Sequence, residues 1–297
     1  IHGEVGSGKT VVAVFALWII ARAGGQAALL APTEILAEQH YLNWQEFFLR
    51  QNINISILLG QMPEKDKENI RKSLEEGSTG VVVGTHSILT EKLLFKNLGM
   101  VVVDEQHKFG VGQREMLKQK GKNPHYMVMS ATPIPRSVAM TLYGALDIST
   151  MGELPKGERK VVTYIFQRDE KEKIYTFLQD QSSLCRQGYV VTPSIDAGED
   201  IESAVAECDR IKKRLPGVPV SLIHGRIPHA EKEKIMAGFR SGETRMLVST
   251  TVIESGIDVP EASYIVIEQA ERFGLAQLHQ LRGRVGRSGD TGYCMLV

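Results

Sequence analysis

Cysteine is scarce in this chain: only Cys185, Cys208 and Cys294 stand among 297 residues. Their odd number, wide separation and lack of any CxxC pair argue against both a disulfide framework and a zinc site. Each is read as a small buried hydrophobe in a reducing cytoplasm. An excess of one charge is also lacking. Basic and acidic residues number 35 each, a formal net charge of zero, so no global field draws the protein to nucleic acid and any such surface must be local. Nor is there an apolar run of bilayer length. The longest, VVAVFALWIIA from Val11 to Ala21, falls short of the ~20 residues a spanning helix needs, and it is expected to be a buried helix and not a membrane anchor. Nothing resembles a signal peptide. Aromatics make up 6% of the chain, and Trp18, Trp44, Phe47 and Phe48 fall at helical spacing, which favours core packing over base stacking.

What is present is alternation. Short β-branched runs, AALLAPT (27–33), NISILLG (54–60), GVVVGT (80–85), GMVVVDE (99–105) and HYMVMSAT (125–132), alternate with amphipathic stretches such as EILAEQHYLNWQEFFLRQ. Strands apolar on both faces belong in a parallel sheet covered by helices on each side. Apolar periodicity then gives way to STMGELPKGERK, and the alternation restarts with VVTYIF (161–166), YVVTPSI (189–195), VSLIHG (220–225), RMLVST (245–250) and SYIVIEQ (263–269). The expected fold is α/β, with two parallel-sheet domains over 1–148 and 161–297, a linker at 149–160, and a ligand cleft between the domains.

GEVGSGKT, from Gly3 to Thr10, fits G-x-x-x-x-G-K-[ST] after the tail of a strand and at the start of a helix. Gly3, Gly6 and Gly8, with Ser7 between them, let successive N–H groups converge on phosphate oxygens at a helix N-terminus. Lys9 adds a cation for the β- and γ-phosphates, and the Thr10 hydroxyl can ligate Mg²⁺. The dinucleotide fingerprint fails, because Val11 stands where its third glycine belongs. Further on, VVVDEQHKFG carries a strand into Asp104 and Glu105. A polar turn would account for either carboxylate alone. Beside a P-loop, Asp104 is the expected Mg²⁺ ligand and Glu105 the general base for the attacking water.

QLHQLRGRVGRSG places Gln280, Gly283, Arg284 and Arg287 on one helical stretch. A solvated basic face is the ordinary reading of a lone helix like this, whereas beside a P-loop the arginines become candidate arginine fingers. Among the histidines, His107 lies within a motif and His86 and His224 border motifs, while His2, His40, His125, His229 and His279 read as ordinary surface or capping residues.

The ordered stretches GEVGSGKT, APTEILAEQH, VVGTHSIL, DEQHKFGV, SATPIPRS, LIHGR, STTVIESGIDVP and QLHQLRGRVGRS resemble the motifs of superfamily-two helicases across essentially the whole chain. DEQH, SATPIPRSVAMTLYGALDIS and GELPKGER are most similar to the bacterial RecG family. That resemblance implies two tandem RecA-like domains around an ATP cleft. The implied protein is a monomeric, cytoplasmic, ATP- and Mg²⁺-dependent DNA helicase that remodels branched duplexes such as replication forks and Holliday junctions in recombination and repair. It further implies that Gln106 and His107 couple nucleotide to the cleft, and that Ser130, Ala131 and Thr132 link hydrolysis to movement. Gly256, Asp258 and Gln280 contact nucleotide from the second domain, and Arg284 and Arg287 are the fingers. Pro32, Thr33, Thr85, His86, Gly225, Arg226 and Thr250 track a nucleic-acid backbone, where small and hydroxyl residues suit contacts that do not read sequence. Glu4, Lys108 and Gly112 depart from the family pattern. The family's wedge domain, adenine-reading segment and C-terminal hook are not in this stretch, so the chain is expected to be part of a longer protein. The alternatives are a transcription-repair translocase of the Mfd kind, which shares TPIPR and FGLAQLHQLRGRVGR, and a nucleotide-gated DNA-binding module without net unwinding.

Overall fold

A computed structural model describes residues 1–105, 116, 120–130, 147–152, 160–193, 199–250, 259, 261–286 and 290–297. The chain divides into two compact units, Ile1–Glu153 and Leu154–Val297.

In the first unit β1 (His2–Gly3) leads into α1 (Lys9–Arg22). Then follow β2 (Gln26–Leu30), α2 (Glu34–Arg50), β3 (Ile55–Leu58), α3 (Glu64–Glu76), β4 (Val81–Gly84), β5 (Leu98–Asp104), β6 (His125–Met129) and β7 (Thr150–Met151). Strands β3-β4-β2-β5-β6 form one sheet in that order. A bridge from His2 to Ser130 sets β1 beside the end of β6, and β1 pairs in turn with β7. All strand pairings among the described residues are parallel. Successive residues of β2 serve opposite cores: Ala27 and Leu29 pack with Leu17, Trp44 and Phe48, while Ala28 and Leu30 pack with Leu74, Ile88 and Leu93. Burial on both faces is why these strands read as unbroken apolar runs.

The second unit contains β8 (Val161–Ile165), α4 (Lys171–Ser183), β9 (Gln187–Val191), α5 (Glu199–Arg214), β10 (Val220–Ile223) and α6 (His229–Arg240). It continues with β11 (Met246–Ser249), β12 (Ala262–Ile267), α7 (Leu275–Arg282) and β13 (Gly292–Leu296). Its sheet runs β10-β11-β9-β12-β13-β8. Tyr189, Leu247 and Ile265 point to one core, and Val190, Val248 and Tyr264 to the other.

Several expectations fail locally. Helix α1 is not buried all round: Ala13 and Leu17 face the sheet, but Val11, Phe15 and Ile19 are 71%, 57% and 46% exposed. An all-apolar run has no periodicity to mark an inward face. Phe47 is exposed and meets Phe48 edge-on at 5.2 Å, whereas Trp44 and Phe48 are core residues. Cys185 is exposed, unlike Cys208 and Cys294. Thr150 and Met151, expected in a linker, pair with His2 and Gly3. No helix among the described residues is long and apolar enough to cross a membrane.

Glu207 is buried in the second unit, where it accepts from Tyr175 at 3.4 Å and pairs with Arg210. Burial, then repulsion from Glu268, raises its carboxyl above the ordinary range against the pull of Lys171 and Arg210. A raised folded-state value means that this group's stabilisation is complete below the unfolded value of 4.5 and is lost as pH rises through the folded one. The permanently neutral Glu207→Gln protein should therefore melt higher than the parent at about pH 7.5, with the gap closing near pH ~4. A lower melting point for the variant at pH ~7.5 would show that the Arg210 pair outweighs burial.

Candidate nucleotide site

Three strand ends lie at the carboxyl edge of the first sheet, the edge where open α/β folds bind ligands. The first is that of β1. Gly6 and Gly8 have φ of +84° and +94°, conformations costly to any residue with a Cβ. Ser7 N donates to Glu4 O at 3.1 Å, closing the turn. Gly8 is the N-cap of α1 and brings no capping side chain, so the first helical amides are left for an acceptor. The Ser7 hydroxyl is buried and has no hydrogen-bond partner among the described residues. Lys9 is also buried, and its ammonium donates to Gly3 O at 2.6 Å and Glu4 O at 2.7 Å. An orphaned hydroxyl, an uncapped helix start and a lysine folded over its own loop suit an incoming phosphate.

The second is that of β5. Asp104 is the last residue of that strand, in register with Met129 of β6. Glu105 follows with φ of +48°, and its N–H donates to Met129 O at 3.0 Å. A left-handed non-glycine residue costs ~1–2 kcal/mol, which the bond to the neighbouring strand helps offset. The third is the end of β6 at Ser130, whose carbonyl accepts from Gly3 N at 3.3 Å and whose N–H donates to Ile1 O at 3.2 Å. The sheet thus gathers Lys9, Thr10, Asp104, Glu105 and Ser130. Gln106, His107, Ala131 and Thr132 lie outside the described residues, as do Gly256, Asp258 and Arg287.

Sequence reading missed His40. It is not a surface residue: it is 6% exposed on the inner face of α2, and its Nε2 lies 3.1 Å from Asp104 Oδ2. A usable signal was its spacing with Ala37, Trp44 and Phe48, the other buried residues of α2.

The candidate backbone-tracking residues fall at the ends of neighbouring strands. Pro32 and Thr33 follow β2, and Thr85 and His86 follow β4, its partner. Thr33 is the N-cap of α2, accepting from Leu36 N at 3.4 Å. In the second unit Gly225 and Arg226 follow β10, and Thr250 follows β11, again a pair. Beside them, burial and then Lys232 and Arg226 lower the His224 imidazole below its usual range.

Gln280 is buried on α7. Arg284 is not on that helix, as expected from sequence, because α7 ends at Arg282 and Arg284 lies in the turn beyond Gly283, its N–H donating to Leu281 O at 3.0 Å. Two glycines drive the change. Gly283 caps the helix, and Gly286 has φ of +71° and lies so close to Gly292 of β13 that a Cβ would come within 3.0 Å of the Gly292 nitrogen.

The chain matches the DEAD/DEAH box helicase family over residues 1–141 and the helicase conserved C-terminal domain over residues 156–289. Together these matches span most of the chain as two helicase domains. Over its whole length the chain is 47% identical to the ATP-dependent DNA helicase RecG of Aquifex aeolicus (strain VF5), covering 38% of that protein, and 47% identical to the RecG of Thermotoga maritima, again covering 38%. All of it superposes on a solved structure of RecG bound to a three-way DNA junction, with 45% identity, a TM-score of 0.78 and 39% of that chain covered. The chain is similar to these RecG proteins along its whole length and spans about two fifths of theirs.

Proposed function

We propose that this chain is the motor of a RecG-type DNA helicase, coupling ATP hydrolysis to movement on branched duplex DNA in bacterial recombination and repair. The observation that carries the reading is the convergence, at one sheet edge, of an uncapped helix start bearing Lys9 with the strand-end carboxylates Asp104 and Glu105. The helix amides, Ser7 and Lys9 hold the triphosphate. Thr10 and Asp104 hold Mg²⁺, and Glu105 takes the proton from the attacking water. Mg²⁺ held by these residues would supply positive charge against the charge that develops on the phosphates during transfer. No group of three or more potential metal-ligating side chains exists among the described residues, and a cation that draws most of its ligands from phosphate and water needs none. Arg284 and Arg287 of the second unit serve as arginine fingers in the same hydrolysis. Backbone contacts from Thr33, Thr85, Arg226 and Thr250 let it track DNA without reading bases. The junction-bound relative supports branched DNA as substrate over the transcription-coupled and binding-only alternatives.

The test is phosphate release with forked, four-way and linear DNA. Branched DNA should stimulate turnover more than linear DNA, and Lys9→Ala should lower it by ~10²–10³-fold, the usual loss for a charge-stabilising donor. Equal stimulation by all three DNAs, or a Lys9→Ala protein as active as the parent, would reject the proposal.

A further inference from the structure

On α2 the residues Ala37, His40, Trp44 and Phe48 form the buried stripe. Three of them are apolar, and His40 stands where packing alone would favour leucine. A buried imidazole needs partners for its nitrogens, and this one has reached across 64 positions of sequence to the last residue of β5. Its ring is held at 4.7 Å from that of Trp44, tilted by 35°. An ionised carboxylate only accepts hydrogen bonds, so Nε2 carries the proton and donates to Asp104 Oδ2. Asp104 is itself only 9% exposed. One carboxylate oxygen is thus engaged by a ring packed on an indole, which opposes rotation of the carboxylate and leaves Oδ1 for another partner.

We infer that His40 is a positioning residue for the divalent cation: it fixes Asp104 so that the other carboxylate oxygen faces the nucleotide-bound Mg²⁺. This rests on the assignment of Asp104 as a metal ligand made above. Partners that orient a ligating carboxylate usually affect metal affinity or activity by ~10–100-fold, and the pair has that arrangement. The competing account is that His40 and Asp104 only satisfy one another inside the fold. In that case their loss would lower stability and leave the response to Mg²⁺ alone.

The experiment compares the parent, His40→Leu, His40→Gln and Asp104→Asn. Leucine keeps the packing on Trp44 and removes the donor, while glutamine restores an N–H toward the same oxygen. Two readouts are taken across a Mg²⁺ titration: steady-state phosphate release, and equilibrium binding of a fluorescent ADP analogue, repeated in EDTA. Melting in EDTA without nucleotide reports folding. In His40→Leu the Mg²⁺ concentration for half-maximal effect should rise ~10-fold or more in both readouts, with ADP affinity in EDTA unchanged. His40→Gln should recover most of the shift. If His40→Leu does not fold, His40→Ala takes its place in the same comparison. Parental Mg²⁺ dependence in the folded donor-less variant would overturn the inference, and so would a glutamine variant as impaired as leucine. Asp104→Asn separates the two levels. If it too leaves Mg²⁺ dependence untouched, the metal-ligand assignment fails. If Asp104→Asn is impaired and His40→Leu is not, only the positioning role fails.

Discussion

Exchanging Glu105 for glutamine is expected to slow ATP turnover by ~10²–10⁴-fold, the span a positioned general base contributes, while ATP binding stays close to that of the parent. Glutamine matches the shape and hydrogen-bonding reach of glutamate but cannot take a proton at neutral pH. Geometry makes this position sensitive. Glu105 leaves β5 with φ of +48°, its amide tied to Met129 O, so the direction of its side chain is set by the sheet and not by a pliant loop. The substitution leaves that backbone alone and isolates the chemistry. Single-turnover phosphate release with equilibrium binding of a fluorescent ATP analogue separates the two effects. Undiminished turnover would remove Glu105 from the role of base.

A larger loss is expected from the arginines of the second unit. Arg287→Ala and Arg284→Ala should bind ATP yet hydrolyse it slowly, and an arginine that stabilises charge on the transferred phosphoryl group contributes ~10³–10⁵ in rate. Arg282→Ala is the built-in comparison, because Arg282 ends α7 as an exposed residue. If the three arginines were merely a solvated basic face, their variants would show small and similar effects. Only Arg284 and Arg287 should cut turnover, and they should do so without weakening ATP binding.

The strands were legible because each is apolar on both faces, a pattern that a covered parallel sheet imposes and that few other environments tolerate. AALLAPT overlaps β2, GMVVVDE overlaps β5, and YVVTPSI overlaps β9, with ends displaced by only a few residues. The turn before α1 was legible too, since Gly6 and Gly8 take positive φ, a backbone requirement that no other residue meets cheaply. What sequence missed depends on neighbours. His40 bonds a residue far away in the chain, and nothing local distinguishes it from a histidine in an ordinary core. The exposed side of α1 was hidden because Val11, Phe15 and Ile19 are as apolar as the residues that face the sheet. Arg284 was misplaced for the opposite reason: QLHQLRGRVGR has helical spacing, but Gly283 and Gly286 let the chain turn toward β13.

That turn has an outcome beyond shape. Gly286 and Gly292 lie back to back, each too near the other's backbone to admit a methyl group. The segment leading to Arg287 is thereby moored to the final strand of the second unit, not left to swing from the end of a helix. A bulky residue introduced at Gly292, deep in a sheet and without chemistry of its own, would prise the mooring loose and register in a mutational scan as an enzymatic defect.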